Sequence, residues 1–590
     1  MFDQLKKAVE SEIQYIQSTF NEQEKLPVNE RRKLGICLSP IEFRSEESTA
    51  NASILTFRAS YIINDSNFKR GAKVSLKLNS KAIEGRVVDV YDYTIQIFTD
   101  SEEEINWKDE QVEINFQPDD RTLNCMRLGI KLLEEHPRIQ QFIPDFNSEY
   151  TSENLEIEGL NSNQQLAAGA ILSTKKTVSI QGPPGTGKTF LLSKSIEQLV
   201  KNGKKIIVSA PSNTAVDNLA FRIKLLGIPV LRVGNEEKIS PDLLDNTLDA
   251  WLEKSSDAKV LVNLKKTLQK ASQLANRDIR NYTKEAADEK RAARKEVREL
   301  RCEIRTISRK NTQQLISSFQ VIAGTPVGLF NALSKEHCAD VVVLDEAGQC
   351  LFPLAILTAS FGERFIQCGD PQQLSPTVLS QQAAKEGLSM SLLEFAHQQH
   401  PALLLNEQYR MDQAILDLVN PYFYSNQLNS ASFLATGKVR FIDMAGFGEG
   451  ETQNELGSTY NLDEVKAIDS LLKSEQFNPE KTVILSPYSA QITQISEKLG
   501  TIWRVSTIDS MQGQEAENIL ISLTRSNENQ EIGFLKDYRR TNVAISRAKN
   551  VCYIIGDSAT LGADSFYGEL IQQLENGGNY SSVWELEIDD

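Results

Sequence analysis

Cysteine and histidine are scarce in this 590-residue chain, and neither is spaced for metal chemistry. The seven cysteines (Cys37, Cys125, Cys302, Cys338, Cys350, Cys368, Cys552) include no CxxC pair, and the four histidines (His136, His337, His397, His400) fall at no metal-ligand spacing. Structural zinc, an iron–sulfur cluster and a disulfide framework are therefore not expected. Basic charge is short as well: 64 Lys and Arg against 80 Asp and Glu leave a formal net charge of −16. That balance excludes coating nucleic acid by overall basicity, so any nucleic-acid site has to be a local groove. Long apolar runs are missing; none approaches the roughly 18 residues of a membrane span. The opening MFDQLKKAVESEIQ carries acids where a secretory signal has its apolar core. The expectation is an intracellular, cytoplasmic chain with no membrane contact. Solenoid-period repeats and low-complexity tracts are absent too.

What remains is ordinary globular composition, 40% hydrophobic and 24% charged, at a length that calls for several compact units. Residues 1–35 space Phe2, Leu5, Val9, Ile13, Ile16 and Phe20 along one helical face. From about Ser53 to Phe116 the pattern turns to short β-rich runs, SILTFRASYII, AKVSLKL, GRVVDVYDYTIQIFTD and QVEINF, which assigns 36–120 to a small all-β barrel. Residues 121–157 follow, with helical spacing from Leu123 to Glu135. Strand-like and helical runs then alternate, which is the signature of α/β units with parallel sheets. TVSIQG, KKIIVSAP, FQVIAGT, DVVVLDEAGQ and RFIQCGDP assign one sheet to 158–236 plus 312–400. ALLLNEQYR, KVRFIDM, TVILSPYS, WRVSTID, ENILISLTRS and NVCYIIGD assign a second to 401–575.

Residues 237–311 interrupt the first unit with a helical insertion that carries 16 Lys and Arg against 7 Asp and Glu from Lys259 to Lys310. It reads equally as a solvated hairpin or as a basic prong that touches phosphates through Arg291, Arg294 and Arg298. Residues 576–590 end in WELEIDD and read as an acidic, solvated tail.

The run TVSIQ leads into GPPGTGKTF, which matches G-x-x-x-x-G-K-[ST] between a strand and a helix. Gly182, Pro183, Pro184, Gly185, Thr186 and Gly187 form a loop whose N–H groups can curl around phosphates, with a helix N-terminus behind them. Lys188 is placed for the β- and γ-phosphates, and Thr189 for Mg²⁺. Kinases, GTPases, transporters and motors share such a loop, so other residues have to decide among them. VVVLDEAGQC is a buried strand that ends in two adjacent carboxylates. Asp345 is placed to hold the metal with Thr189, and Glu346 to take a proton from the attacking water, which marks a hydrolase.

Together GPPGTGKT and DEAGQ resemble superfamily 1 helicases of the 5′-to-3′ branch, the family of the up-frameshift, senataxin and immunoglobulin μ-binding helicases. Six further segments resemble that family in order: LNSNQQLA, APSNTAVDNLA, GDPQQLSP, NEQYRMD, STIDSMQGQE and RRTNVAISRAK, so that the set spans Leu160 to Lys549. The resemblance implies two tandem RecA-like motor domains, with a β-barrel on stalk helices and a helical subdomain inserted. It implies the helicase core alone, without added zinc-binding or nuclease domains. Gln164 then reads adenine, Gln373 senses the γ-phosphate, Arg410 and Arg547 are arginine fingers, Tyr409 lies near the nucleotide, and Gln512, Gly513 and Glu515 touch nucleotide and strand. Pro211, Ser212, Asn213, Thr325, Pro487, Tyr488 and Thr507 fall where the family grips a strand. The short polar residues among these also read as turn or cap residues, and the tyrosines as core.

Three positions depart from the family pattern: Met511 for an aromatic, Gln514 for a basic residue and Ser546 for Thr. The implied protein is a monomeric enzyme that uses ATP and Mg²⁺ to move 5′ to 3′ on single-stranded DNA or RNA and unwind duplex. A strand-stimulated ATPase that remodels protein–nucleic acid complexes is the alternative.

Overall fold

The structure, a computed structural model, describes residues 2–48, 53–63, 67–78, 81–99, 107, 110–118, 120–142, 156–173, 176–235, 238–255, 257–275, 284–333, 338–431, 437–454, 457–511 and 513–588. Six antiparallel strands close into a barrel in the order Cys37–Ser48, Ser53–Ala59, Thr94–Thr99, Ala82–Tyr91, Lys73–Lys77 and Val112–Gln117. Period-two burial of Leu55, Phe57 and Ala59 fills its interior on one side, with Val74, Leu76, Ile95 and Ile97 on the other. The β-rich spacing read from Ser53 onward misses the 12-residue strand Cys37–Ser48. Its alternation is hidden by Pro40 and by the exposed acids Glu42, Glu46 and Glu47.

Two helices, Phe2–Glu24 and Asp120–Glu135, connect this barrel to the rest of the protein. Leu5, Val9, Ile13, Met126, Ile130 and Leu133 share one core with Phe352, Ala355 and Ile356 of the first sheet domain. Glu12 is buried on that face, where its carboxylate accepts the amides of Leu379 (2.9 Å) and Ser380 (2.8 Å) at the start of helix Gln381–Lys385. Apolar burial and this two-point carboxylate contact fix the stalk to the domain it serves.

The first sheet has seven parallel strands in the order Leu403–Leu404, Thr177–Gln181, Gly362–Gly369, Ala339–Leu344, Ile206–Ser209, Val321–Gly324 and Val230–Arg232. Helices cover both faces, and so Thr177–Gln181, Ile206–Ser209 and Val321–Gly324 are buried throughout. Leu403–Leu404 was expected to open the second sheet; it instead pairs with Ile180 and Gln181 and belongs to the first. ALLLNEQYR therefore leaves the first sheet for a separate two-stranded sheet, in which Glu407–Gln408 pairs with Asn429–Ser430, and a two-residue strand carries too little period to show which sheet it joins.

The second sheet is also all parallel, in the order Arg504–Thr507, Thr482–Ser486, Ala516–Ser522, Ala548–Gly556, Lys438–Asp443 and Tyr580–Ser582. The last strand lies inside the expected solvated tail and corrects it. Tyr580 stacks on Phe441 at 5.8 Å, Val583 is buried, and Ser582 forms a capping box with Glu585. Leu586 and Ile588 also pack against the core of the second domain, and the last two acids of the expected tail, Asp589 and Asp590, lie outside the described residues.

The insertion is a helical hairpin of Ala258–Ala275 and Lys284–Ser318, and the second helix runs seven residues past the expected end at 311. Leu268, Ala271, Ala293 and Ile304 are buried, while Arg291 and Arg298 are exposed. The side chain of Arg294 lies outside the described residues. No helix among the described residues is long and apolar enough to cross a membrane.

Candidate nucleotide cleft and nucleic-acid groove

Parallel strands deliver their C-terminal ends to one edge of a sheet, and there the first domain meets the second. A cavity of about 730 Å³ lies between them. Its floor is the loop after Thr177–Gln181, from Pro184 to Thr189, leading into helix Lys188–Lys201. Gly185 and Gly187 have φ of 75° and 77°, which a side chain would strain, and a Cβ on Gly185 would lie 2.6 Å from that of Arg410. Lys188 Nζ donates to Gly182 O at 2.5 Å, so the ammonium lies over the loop and would exchange this carbonyl for a phosphate.

Asp345 and Glu346 enter the same cavity at the end of Ala339–Leu344. Asp345 is buried and accepts the Glu346 amide at 2.8 Å. Burial, then the adjacent Glu346, push its pKa up to about 7 against the opposing pull of Lys188. A carboxyl this unfavourable to ionise alone is one that a cation would suit. Glu346 has φ of 50°, a left-handed conformation that costs a non-glycine residue about 1–3 kcal/mol. Its carboxylate accepts Gln349 Nε2 at 3.0 Å. Gly348 explains itself by close approach: a Cβ there would lie 2.7 Å from Asp370 O in the neighbouring GDPQQ loop.

The second domain supplies the opposite wall. Arg547 is buried, and its guanidinium donates to Val543 O (3.2 Å), Gln514 O (3.3 Å) and, across the domain boundary, Gln373 Oε1 (2.9 Å). Burial and then the nearby Arg410 pull its pKa down to about 9, still cationic at neutral pH. Arg410 pairs with Glu515 at 2.7 Å and donates to Ser546 O at 3.1 Å. Glu515 also takes Lys549 at 2.6 Å. Burial raises the Glu515 pKa, but Lys549 and Arg410 outweigh it and leave the carboxylate below its ordinary range.

The cavity brings together Pro184, Gly185, Thr186, Gly187, Lys188, Thr189, Asp345, Glu346, Gln373, Tyr409, Arg410, Glu515 and Arg547. Gly182 and Pro183 do not line it; their carbonyls accept Lys188 Nζ and the Thr186 hydroxyl (2.8 Å). Gln164 does not line the cavity; it is buried, accepts the Asn161 amide at 3.1 Å and donates to Thr186 O at 2.9 Å. These contacts make its side chain a prop of the phosphate loop, with one N–H of the amide still uncommitted by them. Thr214, Asn218 and Arg222 were missed, although their i, i+4, i+8 spacing on helix Asn213–Leu225 is a polar stripe that faces the cavity. Of the departures, Met511 is buried in the core and the Gln514 side chain bonds to Arg504.

A second cavity, about 920 Å³, runs between the first sheet domain, the barrel and the stalk. Pro211, Ser212, Asn213 and Thr325 line it. Ser212 and Thr325 also cap the helices that start there, accepting the amides of Ala215 (3.2 Å) and Gly328 (3.2 Å). The cap and groove roles coexist, since a capped helix N-terminus still presents its positive end to the groove. Beneath, the wholly buried Arg232 pairs with Asp217 at 2.7 Å and donates to Asn213 Oδ1 at 3.0 Å. Burial lowers the Arg232 pKa despite the support of Asp217. Arg86 of the barrel, Arg121 of the stalk and Lys238 line the groove and were missed, because an isolated basic residue in an acidic chain carries no pattern.

Pro487, Tyr488 and Thr507 do not line this groove. Tyr488 is buried, and its hydroxyl accepts Arg525 Nη1 and the Phe534 amide, both at 3.3 Å. Base stacking by Tyr488 is thereby corrected to a core role. Thr507 shares its hydroxyl with Ser510 at 2.7 Å. Gln512 lies outside the described residues.

A phosphate loop, an acidic pair and two arginines reaching in from a second parallel sheet define a two-lobed P-loop nucleotide-binding protein. AAA domain family models match residues 159–381 and 388–559. DNA-binding protein SMUBP-2 of Mesocricetus auratus is 30% identical over 461 residues, covering 73% of this chain and 46% of the relative. DNA polymerase alpha-associated DNA helicase A of Schizosaccharomyces pombe is 30% identical over 449 residues, 70% of this chain and 66% of the relative. The chain thus spans about half the length of SMUBP-2. A solved arterivirus nonstructural protein 10 helicase is a distant likeness, with a TM-score of 0.38 and 14% identity over 89% of this chain and 79% of that one. The chain belongs to the superfamily 1 helicases.

Proposed function

We propose that this protein is an ATP-dependent helicase that moves 5′ to 3′ along single-stranded nucleic acid and separates duplex. The observation that carries the ATPase half is the cavity between the sheets, with a phosphate loop on one wall and Arg410 and Arg547 on the other. Guanidinium groups supplied across a cleft make hydrolysis conditional on closure, and each cycle of closing and opening is a mechanical stroke. Both arginines come from the same chain, so a monomer suffices. The groove beside the barrel supports the strand half, since helix N-termini and Arg86, Arg121 and Lys238 line it, groups that suit a sugar–phosphate backbone rather than base edges. Polarity rests on the resemblance of the ordered motifs.

Thr189 and Asp345 would hold Mg²⁺, which would supply positive charge to offset that of the phosphates. Lys188 leaves the Gly182 carbonyl for phosphate, Gln373 stays oriented by Arg547, and Glu346 accepts the proton of the attacking water. No disulfide links the cysteines among the described residues, and five of the seven are buried. The relatives named above are described by DNA, which makes DNA the first strand to test.

The experiment is ATP turnover and unwinding on DNA and RNA duplexes with 5′ or 3′ tails. Wild type should unwind 5′-tailed duplex, and Glu346→Gln should bind ATP and strand with turnover reduced at least 100-fold, the scale of a lost general base. Full turnover in Glu346→Gln refutes the base assignment. ATP hydrolysis with the duplex left intact favours a remodelling ATPase instead.

A further inference from the structure

The GDPQQ loop of the first domain is held by more of the second domain than Arg547. Asp370 is buried, and its Oδ2 accepts both Gln373 Nε2 at 3.0 Å and the hydroxyl of Tyr424 at 2.8 Å. Tyr424 is the last residue of helix Gln413–Tyr424, in the second domain. Its hydroxyl in turn accepts Asn542 Nδ2 at 2.9 Å, and the same amide donates to Gln372 O of the loop at 2.8 Å. Asn542 lies on helix Tyr538–Ile545, five residues before Arg547, and is fully buried. Burial and the neighbouring Asp370 raise the Tyr424 pKa well above its ordinary value, so the phenol stays a donor.

The geometry has a consequence for Gln373. Its Oε1 receives Arg547 and its Nε2 is spent on Asp370, so the amide is fixed at both ends only while Asp370 is itself held. Within the loop Asp370 Oδ1 accepts the Gln372 amide at 3.1 Å, and from the far side of the cleft Tyr424 holds Oδ2, the oxygen that receives Gln373, while Asn542 holds Gln372 O. Opening the cleft removes the hydroxyl, the Asn542 amide and the guanidinium together, and leaves a buried carboxylate with fewer donors.

We infer that Tyr424 and Asn542 are positioning residues: docked against Asp370 and Gln372, they orient Gln373 toward the nucleotide only when the second sheet has closed. The inference rests on the ATPase reading above, and it adds a closure sensor that does not itself touch nucleotide or strand.

The test is a double-mutant cycle on strand-stimulated ATP turnover with the full chain, using a single-stranded DNA oligonucleotide. Tyr424→Phe removes one hydroxyl from a charge-assisted bond and should lower kcat roughly 10-fold, with KM for ATP and Kd for the oligonucleotide unchanged. In a Gln373→Ala background the same substitution should change kcat less than twofold, since Gln373 is the group it acts through. Asn542→Ser should behave alike, and it carries the test if Tyr424→Phe fails to melt cooperatively. An unaltered kcat in the folded variants overturns the inference, as does an equal loss in both backgrounds, which would mark a purely structural role. A wild-type protein that hydrolyses ATP without response to oligonucleotide overturns the parent reading, and the wild-type arm separates that from a failure of the sensor.

Discussion

The ion pair beneath the groove offers a sharp perturbation. Arg232 is wholly buried, bound to Asp217 at 2.7 Å, to Val233 O at 2.5 Å and to Asn213 Oδ1 at 3.0 Å. Asp217 has one other protein partner of note, the Ser240 amide at 2.7 Å. Arg232→Met keeps much of the volume but leaves a buried carboxylate without its counter-charge, a defect worth about 3–5 kcal/mol. Adding Asp217→Asn removes the orphaned charge and keeps the Ser240 bond, so the double variant should recover most of that loss and sit about 1–2 kcal/mol below wild type. Urea unfolding of the four proteins measures the cycle.

Strand affinity should not recover in the same way. Both variants lack the guanidinium that orients Asn213 in the groove, and each should bind a single-stranded oligonucleotide about fivefold more weakly, the size of one neutral hydrogen bond. A double variant as unstable as Arg232→Met would show that lost packing, not an orphaned charge, sets the cost. Unchanged affinity in both would refute the orienting role of Arg232.

Glu464 is buried under Thr524 and Ser522, and burial, despite its hydrogen bonds, raises its pKa from 4.5 to about 8. Between those values the folded state holds a proton that the unfolded state has lost, so stability falls as pH rises from about 4.5 to about 8 and is flat above. Glu464→Gln should remove this component in thermal melts across pH 5 to 9; an unchanged pH slope would contradict the buried, protonated carboxyl. For the groove, Arg121→Glu and Lys238→Glu should each reduce the slope of log affinity against log salt by about 0.7, the value for one lost phosphate contact on a single strand. The same titration on Arg291→Glu with Arg298→Glu decides whether the insertion is a prong or a solvated hairpin. Gln349→Leu should lower the ratio of strand-stimulated to basal ATP turnover, because it cuts the bond to Glu346; an unaltered ratio would remove Gln349 from the coupling path.

The parts of this protein that could be read ahead of its structure are those where one local requirement dictates several adjacent residues. The phosphate loop demands glycines, a lysine and a threonine in fixed order, and the buried strands demand unbroken apolar runs, so both stand out. What stayed hidden depends on partners distant in sequence. The environment of Gln164 is set by a carbonyl 22 residues away, that of Tyr488 by Arg525 and Phe534, and that of Tyr424 by a loop more than 50 residues earlier. The strand Tyr580–Ser582 was hidden for a related reason. Three residues have no measurable period, and only the exposed edge of Lys438–Asp443 tells them where to lie. Arg86 and Arg121 become groove residues only because the stalk brings the barrel over the first sheet, and no spacing in the chain encodes that approach.

Coupling between strand and nucleotide needs groups that face both. Ser212, Gln349 and Asp509 line the nucleotide cavity and the groove alike, which makes them a shared wall between the two ligands. They are not equivalent. Ser212 is committed to capping helix Asn213–Leu225, and Asp509 lies 3.6 Å from Arg540 on the second domain. Gln349 alone among the three is bonded to the candidate base, and Glu346 is held there in a left-handed backbone conformation. A strained residue persists only where its surroundings over-determine it, and here they are Asp345 on one side and Gln349 on the other. A strand that engaged the carbonyl end of the Gln349 amide would therefore act on the orientation of Glu346 through a single side chain. The second domain acts on the opposite face of the same cavity through Gln373 and its clasp on Asp370. Under the proposed function, water activation by Glu346 and orientation of Gln373 would answer to different partners, the strand through Gln349 and the closing sheet through Arg547 and Asp370, and turnover should be fastest when both are in place.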